Sequence, residues 1–350
     1  MAYYIDGFPG REIKIKDKKY LYFGGTAYLG LQNDVEFQNL FISNIRKYGT
    51  NYGASRKSNV RISIYEKAES LLAEIVGSDT ALTLSSGYLA GQFIAQNFNK
   101  PEYKLFYAPN THAALYNNYN KPFSTFSELN QAIKEHLRQD DKVLPVVFMD
   151  SIDFKECNYP EFKGLKNLPL DQLILVVDDS HGIGIIGTKG EGVYKTLQKF
   201  NAKELIVCCS LGKSYGIQAG AVLGSSKRIG QLGETSFFGG ASPAAPSGMA
   251  TFIEAQHIYS SKRIKLGNKM DYFEKSVTHI DFFNRIKEHP TYSFMSPQLV
   301  NYLDKNGFIL TNFNYPDESS EMMSRIVLSS HHTEKDIDTL CDCLNSFIQK

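Results

Sequence analysis

No charge of one sign dominates this chain: 38 Lys and Arg stand against 37 Asp and Glu, a net charge of +1. That near-cancellation excludes a nucleic-acid binder held by bulk charge. Long apolar runs are also missing. The longest, such as residues 173–177, are strand-sized, against the ~20 residues a membrane helix needs. No nucleic acid and no membrane are therefore expected as partners. The opening residues, MAYYIDGFPGREIKIKDKK, lack the apolar centre of a secretory signal. Cysteine is scarce and odd in number: Cys157, Cys208, Cys209, Cys341 and Cys343. That is no disulfide framework, and it fits a reducing, cytoplasmic setting. Cys208 and Cys209 lie in an apolar strand and read as core packing. Cys341 and Cys343 have no partner ligands nearby, whereas zinc wants four at defined spacing, so no metal is expected. Repeats and low-complexity stretches are absent.

What is present is ordinary globular material. Hydrophobic residues make up 42%, enough for a sizeable core. A length of 350 residues predicts one large or two unequal domains. In the middle of the chain, short apolar strands alternate with helices. Strands are expected at 80–84, 105–107, 143–149, 173–177, 205–209 and 219–223. Helices are expected at 88–97 and from Thr111 onward. Such all-apolar strands between helices indicate a parallel or mixed sheet covered on both faces. Amphipathic helices at 35–48 and 65–76 come first. A long helical region is expected from Ser247 to about His289, then helix 297–305, strands 309–313 and 325–328, and helix 336–348. Thr333 and Asp336 form a capping-box-like start to the last helix. The expected organisation is α/β: a large domain at 49–245 and a small α+β domain made from 1–48 and 246–350.

Four segments carry candidate chemistry. Residues 173–192 (LILVVDDSHGIGIIGTKGEG) deliver Asp178, Asp179, Ser180 and His181 at the end of a buried strand, where open α/β sheets bind ligands. A solvated loop with a helix cap would read the same. The literal G-x-G-x-x-G at Gly182, Gly184 and Gly187 is not a dinucleotide fingerprint, because DDSH separates it from the strand. In residues 206–225, Lys213 sits in a Ser-Leu-Gly-Lys turn after the next strand. A lysine so placed suits a Schiff base, since partial desolvation yields a usable amine. Residues 81–91 run a strand into Ser85, Ser86, Gly87 and Tyr88, which open a helix. That is either a phosphate seat or an ordinary N-cap. In residues 107–115, His112 follows another strand and is a candidate aromatic platform.

Together these segments resemble the fold-type I pyridoxal-phosphate enzymes, and within them the α-oxoamine synthases. That family includes 8-amino-7-oxononanoate synthase, 2-amino-3-ketobutyrate CoA ligase and serine palmitoyltransferase. AYLGL (27–31), VVDDSHGIGIIGTKGEG (176–192), SLGKSYG (210–216) and RIVLSSHHTEKDID (325–338) match family motifs in order, from Tyr20 to the C-terminus. The resemblance implies a mostly parallel seven-stranded sheet in the large domain. It implies a homodimer that condenses a small amino acid with an acyl-CoA, with loss of carbon dioxide. It assigns pyridoxal 5'-phosphate to Lys213 as a Schiff base, with Lys213 later moving the Cα proton. It pairs Asp178 with the pyridine nitrogen, His181 with the ring hydroxyl and His112 with the ring face. Ser86, Gly87, Tyr88 and Ser210 are assigned to the phosphate, and Arg325 to the amino-acid carboxylate.

The sequence departs from the family at several places. Arg11 falls after the family's acyl-contacting Arg. Ala27 replaces an Asn or Asp. Val60 and Tyr65 stand where a Gly and a His are usual. Phe154 replaces a Ser that contacts the ring hydroxyl. Gly239 and Gly240 replace a Ser/Thr pair that reaches the partner subunit's phosphate. The cofactor core is kept, and the acyl-CoA and cross-subunit features are altered. An aminotransferase or aldolase-like lyase uses the same cofactor residues, and a degenerate partner subunit is a third reading.

Overall fold

The computed structural model describes residues 3–116, 121–139, 142–155, 158–315 and 318–348. Cys157 lies outside the described residues. The chain divides into two units: residues 40–256, and residues 1–39 with 257–350. The larger unit takes in 40–48 and 246–256, which the sequence reading gave to the smaller one. Packing accounts for this: Asn44 donates to Glu254 at 2.9 Å and to Thr251 at 3.3 Å.

Among the described residues, twelve strands form two sheets. In the smaller unit they are β1 (Glu12–Ile15), β2 (Lys18–Phe23), β9 (Asn284–Arg285), β10 (Thr291–Phe294), β11 (Phe308–Asn314) and β12 (Met322–Val327). In the larger unit they are β3 (Thr80–Leu84), β4 (Tyr103–Tyr107), β5 (Leu144–Asp150), β6 (Ile174–Asp178), β7 (Glu204–Ser210) and β8 (Gly220–Gly224).

The large sheet runs β3-β8-β7-β6-β5-β4. β4 to β7 are mutually parallel, and β8 is antiparallel to both neighbours. β6 is buried at every residue, as expected of a strand covered on both faces. Phe93, Phe98, Phe148, Val176, Cys208 and Val222 form part of one buried core cluster. Six strands, not seven, are found among the described residues. At the β4 edge the Phe123 N–H donates to the Tyr107 carbonyl at 3.0 Å.

Two further expectations are corrected. No helix starts at Thr111. Its hydroxyl turns onto the Ala108 and Phe148 carbonyls (2.6 and 3.1 Å), and among the described residues up to Tyr116 only the short 3-10 turn Ala113–Leu115 follows. The long C-terminal helical region is two helices, Pro246–Glu254 and Gln256–Ser276. The second stops where Asn345, distant in sequence, accepts the Thr278 N–H (2.9 Å) and donates to the Ser276 carbonyl (3.1 Å). β9 and β10 then follow.

The smaller unit is α+β, its sheet running β1-β2-β11-β12-β10-β9. Thr333 and Asp336 do cap the helix Glu334–Ile348 reciprocally: Asp336 N–H donates to Thr333 Oγ1 (3.2 Å) and Thr333 N–H to Asp336 Oδ2 (2.7 Å).

Candidate active site

Parallel register aligns the carboxyl ends of the central strands. Asp150 of β5 is the partner of Asp178 of β6, which is the partner of Cys208 of β7. Polar groups that end apolar strands therefore collect on one edge, the position where open α/β sheets take ligands. Asp178 Oδ1 accepts the Ser180 N–H at 2.8 Å, and Ser180 Oγ accepts the Ser210 N–H at 2.9 Å. The turn after β6 is thereby tied to the end of β7. Lys213 Nζ lies 3.1 Å from His181 Nε2. The Phe154 ring meets the His181 ring edge-on, centroids 5.1 Å apart. Phe154 thus takes a packing role where the family has a hydroxyl.

The helix Gly87–Asn97 starts against the same strand end. Ser86 is its N-cap and accepts the Leu89 N–H at 3.1 Å. A Cβ on Gly87 would meet Ser210 Cβ at 2.5 Å and Ser210 Cα at 2.7 Å. A Cβ on Gly220 would meet the Ser86 carbonyl oxygen at 2.2 Å. Only glycine permits this approach, which brings the positive end of a helix beside the Ser210 hydroxyl. Tyr88 is 60% exposed.

His112 caps its 3-10 turn, Nδ1 accepting the Ala114 N–H at 3.0 Å. That bond assigns the imidazole proton to Nε2. Burial lowers the His112 pKa, Asp178 opposes this and Lys213 adds to it, so these three groups share one electrostatic environment. Asp179 turns inward instead. Its carboxylate accepts from Ser151 Oγ (2.6 Å) and the Val193 N–H (3.1 Å), and burial pushes it up to about 7. A Cβ on Gly192 would lie 2.0 Å from Asp179 Oδ2, so part of the glycine run makes room for this anchor. Asp179 braces the turn that carries His181.

Arg325 lies in the smaller unit on β12, partnered with Ser293 of β10 and Thr311 of β11. Asp150 is the group that sequence reading passed over. Its signal was available: like Asp178, it is the single acid closing an all-apolar strand. A cavity of about 460 Å³ elsewhere on the larger unit is lined by Tyr52, Arg56, Lys57, Arg61 and Phe238 and contains none of these residues.

The aminotransferase class I and II profile matches residues 19–344. The chain belongs to that family. It is 24% identical to the 8-amino-7-oxononanoate synthase of Thermosipho melanesiensis, over 95% of this chain and 90% of that one. It is equally 24% identical to the serine palmitoyltransferase of Bacteroides thetaiotaomicron, over 97% and 90%. An SPT solved with PLP superposes with TM-score 0.82 at 17% identity, covering 99% of this chain and 91% of that one, which shows the shared fold. This family member is a pyridoxal-phosphate-dependent enzyme of fold type I. The residues present fit that cofactor: a lysine beside a histidine, an acid at a strand end, and a helix start held open by two glycines beside a serine hydroxyl. Among the described residues no group of three His, Cys, Asp or Glu could hold a metal, and no helix is long and apolar enough to cross a membrane.

Proposed function

We propose that this enzyme condenses a small amino acid with an acyl-CoA, losing carbon dioxide and giving an α-amino ketone, in the manner of 8-amino-7-oxononanoate synthase. The observation that carries the reading is the 3.1 Å contact of Lys213 Nζ with His181 Nε2 at the strand ends that hold Asp178 and Ser210. The choice of reaction is supported by relatives named as synthase and palmitoyltransferase that align over nearly the whole chain.

Bound pyridoxal phosphate supplies an electron sink for the substrate Cα. Lys213 Nζ would hold the cofactor and would move the proton at the substrate Cα. Asp178, oriented by the Ser180 N–H on its Oδ1, would hold the proton of the ring nitrogen. His181, its ring packed against Phe154, would donate to the ring hydroxyl oxygen. His112 offers an aromatic platform whose imidazole burial keeps neutral. The backbone of Ser86, Gly87 and Tyr88, with the Ser210 hydroxyl, would hold the phosphate. Arg325 receives the amino-acid carboxylate as a two-pronged donor. The enzyme works as a cytoplasmic homodimer.

The test is absorbance spectroscopy on the purified protein with glycine, alanine, serine and threonine in turn, followed by an acyl-CoA. Carbon dioxide and free coenzyme A thiol should appear together, only when both substrates are present. Replacing Lys213 with Ala should remove the visible band of the lysine-bound cofactor. Turnover that needs a 2-oxo acid and ignores the thioester would instead establish an aminotransferase.

A further inference from the structure

Asp150 has no part in the mechanism above, yet it stands between two groups that do. It is the register partner of Asp178 on the neighbouring parallel strand. Such partners lie ~4.8 Å apart with side chains on the same face. On its other side, the Asp150 carboxylate accepts the His112 backbone N–H. The His112 loop is fixed to the same strand end by two more bonds. Thr111 Oγ1 donates to the Phe148 carbonyl at 3.1 Å, and Asn110 Nδ2 to Asp153 Oδ2 at 3.3 Å. The groups that face Asp150 are Asp178 on β6, Cys208 on β7, Lys213 after β7, His112 and Tyr116 after β4, and Asp153 on its own loop. That set sets one lysine against several carboxyls. Two adjacent acids in a desolvated space do not both ionise readily. Desolvation and the Asp178 charge push Asp150 well above the ordinary carboxylic range.

We propose that Asp150 is a positioning residue for the cofactor site: it holds the His112 loop against the strand end where it stands beside Asp178. It acts through those two residues. The inference rests on the cofactor roles proposed above for Asp178 and His112.

The test compares Asp150→Asn and Asp150→Ala with the wild type, all as full chains. Two quantities are measured: the affinity for pyridoxal phosphate from visible titration, and the melting temperature of the cofactor-free protein at pH 7. Asn keeps the acceptor for the His112 N–H and is neutral, so Asp150→Asn should bind the cofactor like the wild type. An acid held protonated in the fold loses stability as pH rises above its unfolded pKa, because the unfolded chain ionises first. Asn carries no such cost, so Asp150→Asn should melt at or above the wild-type temperature. Ala removes the brace and should weaken cofactor binding about tenfold. The proposal is overturned if Asp150→Asn loses affinity or stability along with Asp150→Ala, since an ionised carboxylate would then be required. It is equally overturned if Asp150→Ala binds the cofactor like the wild type. Should Asp150→Ala fail to fold, the Asn variant alone decides. A wild type that takes up no cofactor would refute the functional reading instead, and the melting comparison would still report whether Asp150 is neutral.

Discussion

His332 offers a quantitative check on the smaller unit. Its side chain is 2% exposed, stacks on Phe23 at 4.1 Å, and uses both nitrogens. Nδ1 accepts the Ser329 N–H at 3.0 Å, and Nε2 donates to the Tyr22 carbonyl at 2.9 Å. A second proton would sit on Nδ1, facing a donor. Burial lowers the pKa from the ordinary value near 6.5 to about 4, with Arg11 and Lys269 adding to the effect and Asp336 and the Tyr22 bond opposing it. The sign follows directly. Above pH 6.5 both folded and unfolded states are neutral and stability is complete. As pH falls below 6.5 the unfolded chain takes up a proton that the folded one refuses until about pH 4, so stability falls across that window. The full shift corresponds to roughly 3 kcal/mol, and about 2 kcal/mol of it is lost between pH 7 and pH 5. The assay is urea denaturation followed by circular dichroism, on the wild type and on His332→Gln, at both pH values. Gln can make both hydrogen bonds and does not titrate. The wild type should lose about 2 kcal/mol more than the variant on acidification. His331, which burial also lowers, to about 3, titrates in the same direction in both proteins. Equal losses in the two proteins would refute the argument that His332 is held neutral by the fold.

Three other outcomes are expected. Gly87→Ala places a methyl 2.5 Å from Ser210 Cβ and 2.7 Å from its Cα; no rotamer relieves this, so a loss of about 1–3 kcal/mol in chemical denaturation should accompany weaker cofactor retention. Arg56→Ala removes a two-pronged partner at 2.8 and 2.9 Å from Glu69, each side chain 10% exposed; thermal unfolding should show a loss of about 3 kcal/mol, the buried carboxylate keeping only its two Thr83 bonds. Cys208 and Cys209 are buried, and burial pushes both thiols well up; peptide mapping after alkylation of the native protein should find neither modified, and denaturation should expose both.

The large sheet was readable because its strands announce themselves. LPVVFMD, ILVVD and ELIVCCS are apolar runs of strand length ending in polar residues, and that ending also located Asp178. Lys213, His181, Ser86 and Gly87 were readable from turn chemistry at those same ends. Where local signals were weak, reading failed. The stretch after Thr111 is helix-compatible in composition, but the Thr111 hydroxyl and the His112 ring satisfy the backbone there instead. The end of the helix Gln256–Ser276 carries no glycine stop, because Asn345 provides it from the far end of the chain. Asp150 was passed over although it closes its strand as Asp178 does, because nothing after it in DSIDFKEC resembles the Ser-His pair that follows Asp178 and Asp179.

Local physics in the sequence was enough for the fold class, the order of the strands along the chain and the residue types that gather at the candidate site. Periodicity, turn residues and strand-end polarity act over a few residues and need no partner. Tertiary structure alone decided which strand ends meet. It put Asp150 beside Asp178, the Phe154 edge on His181, and the glycine-bared helix start against Ser210. Those juxtapositions depend on register between strands tens of residues apart, which arises only when the sheet closes over its core.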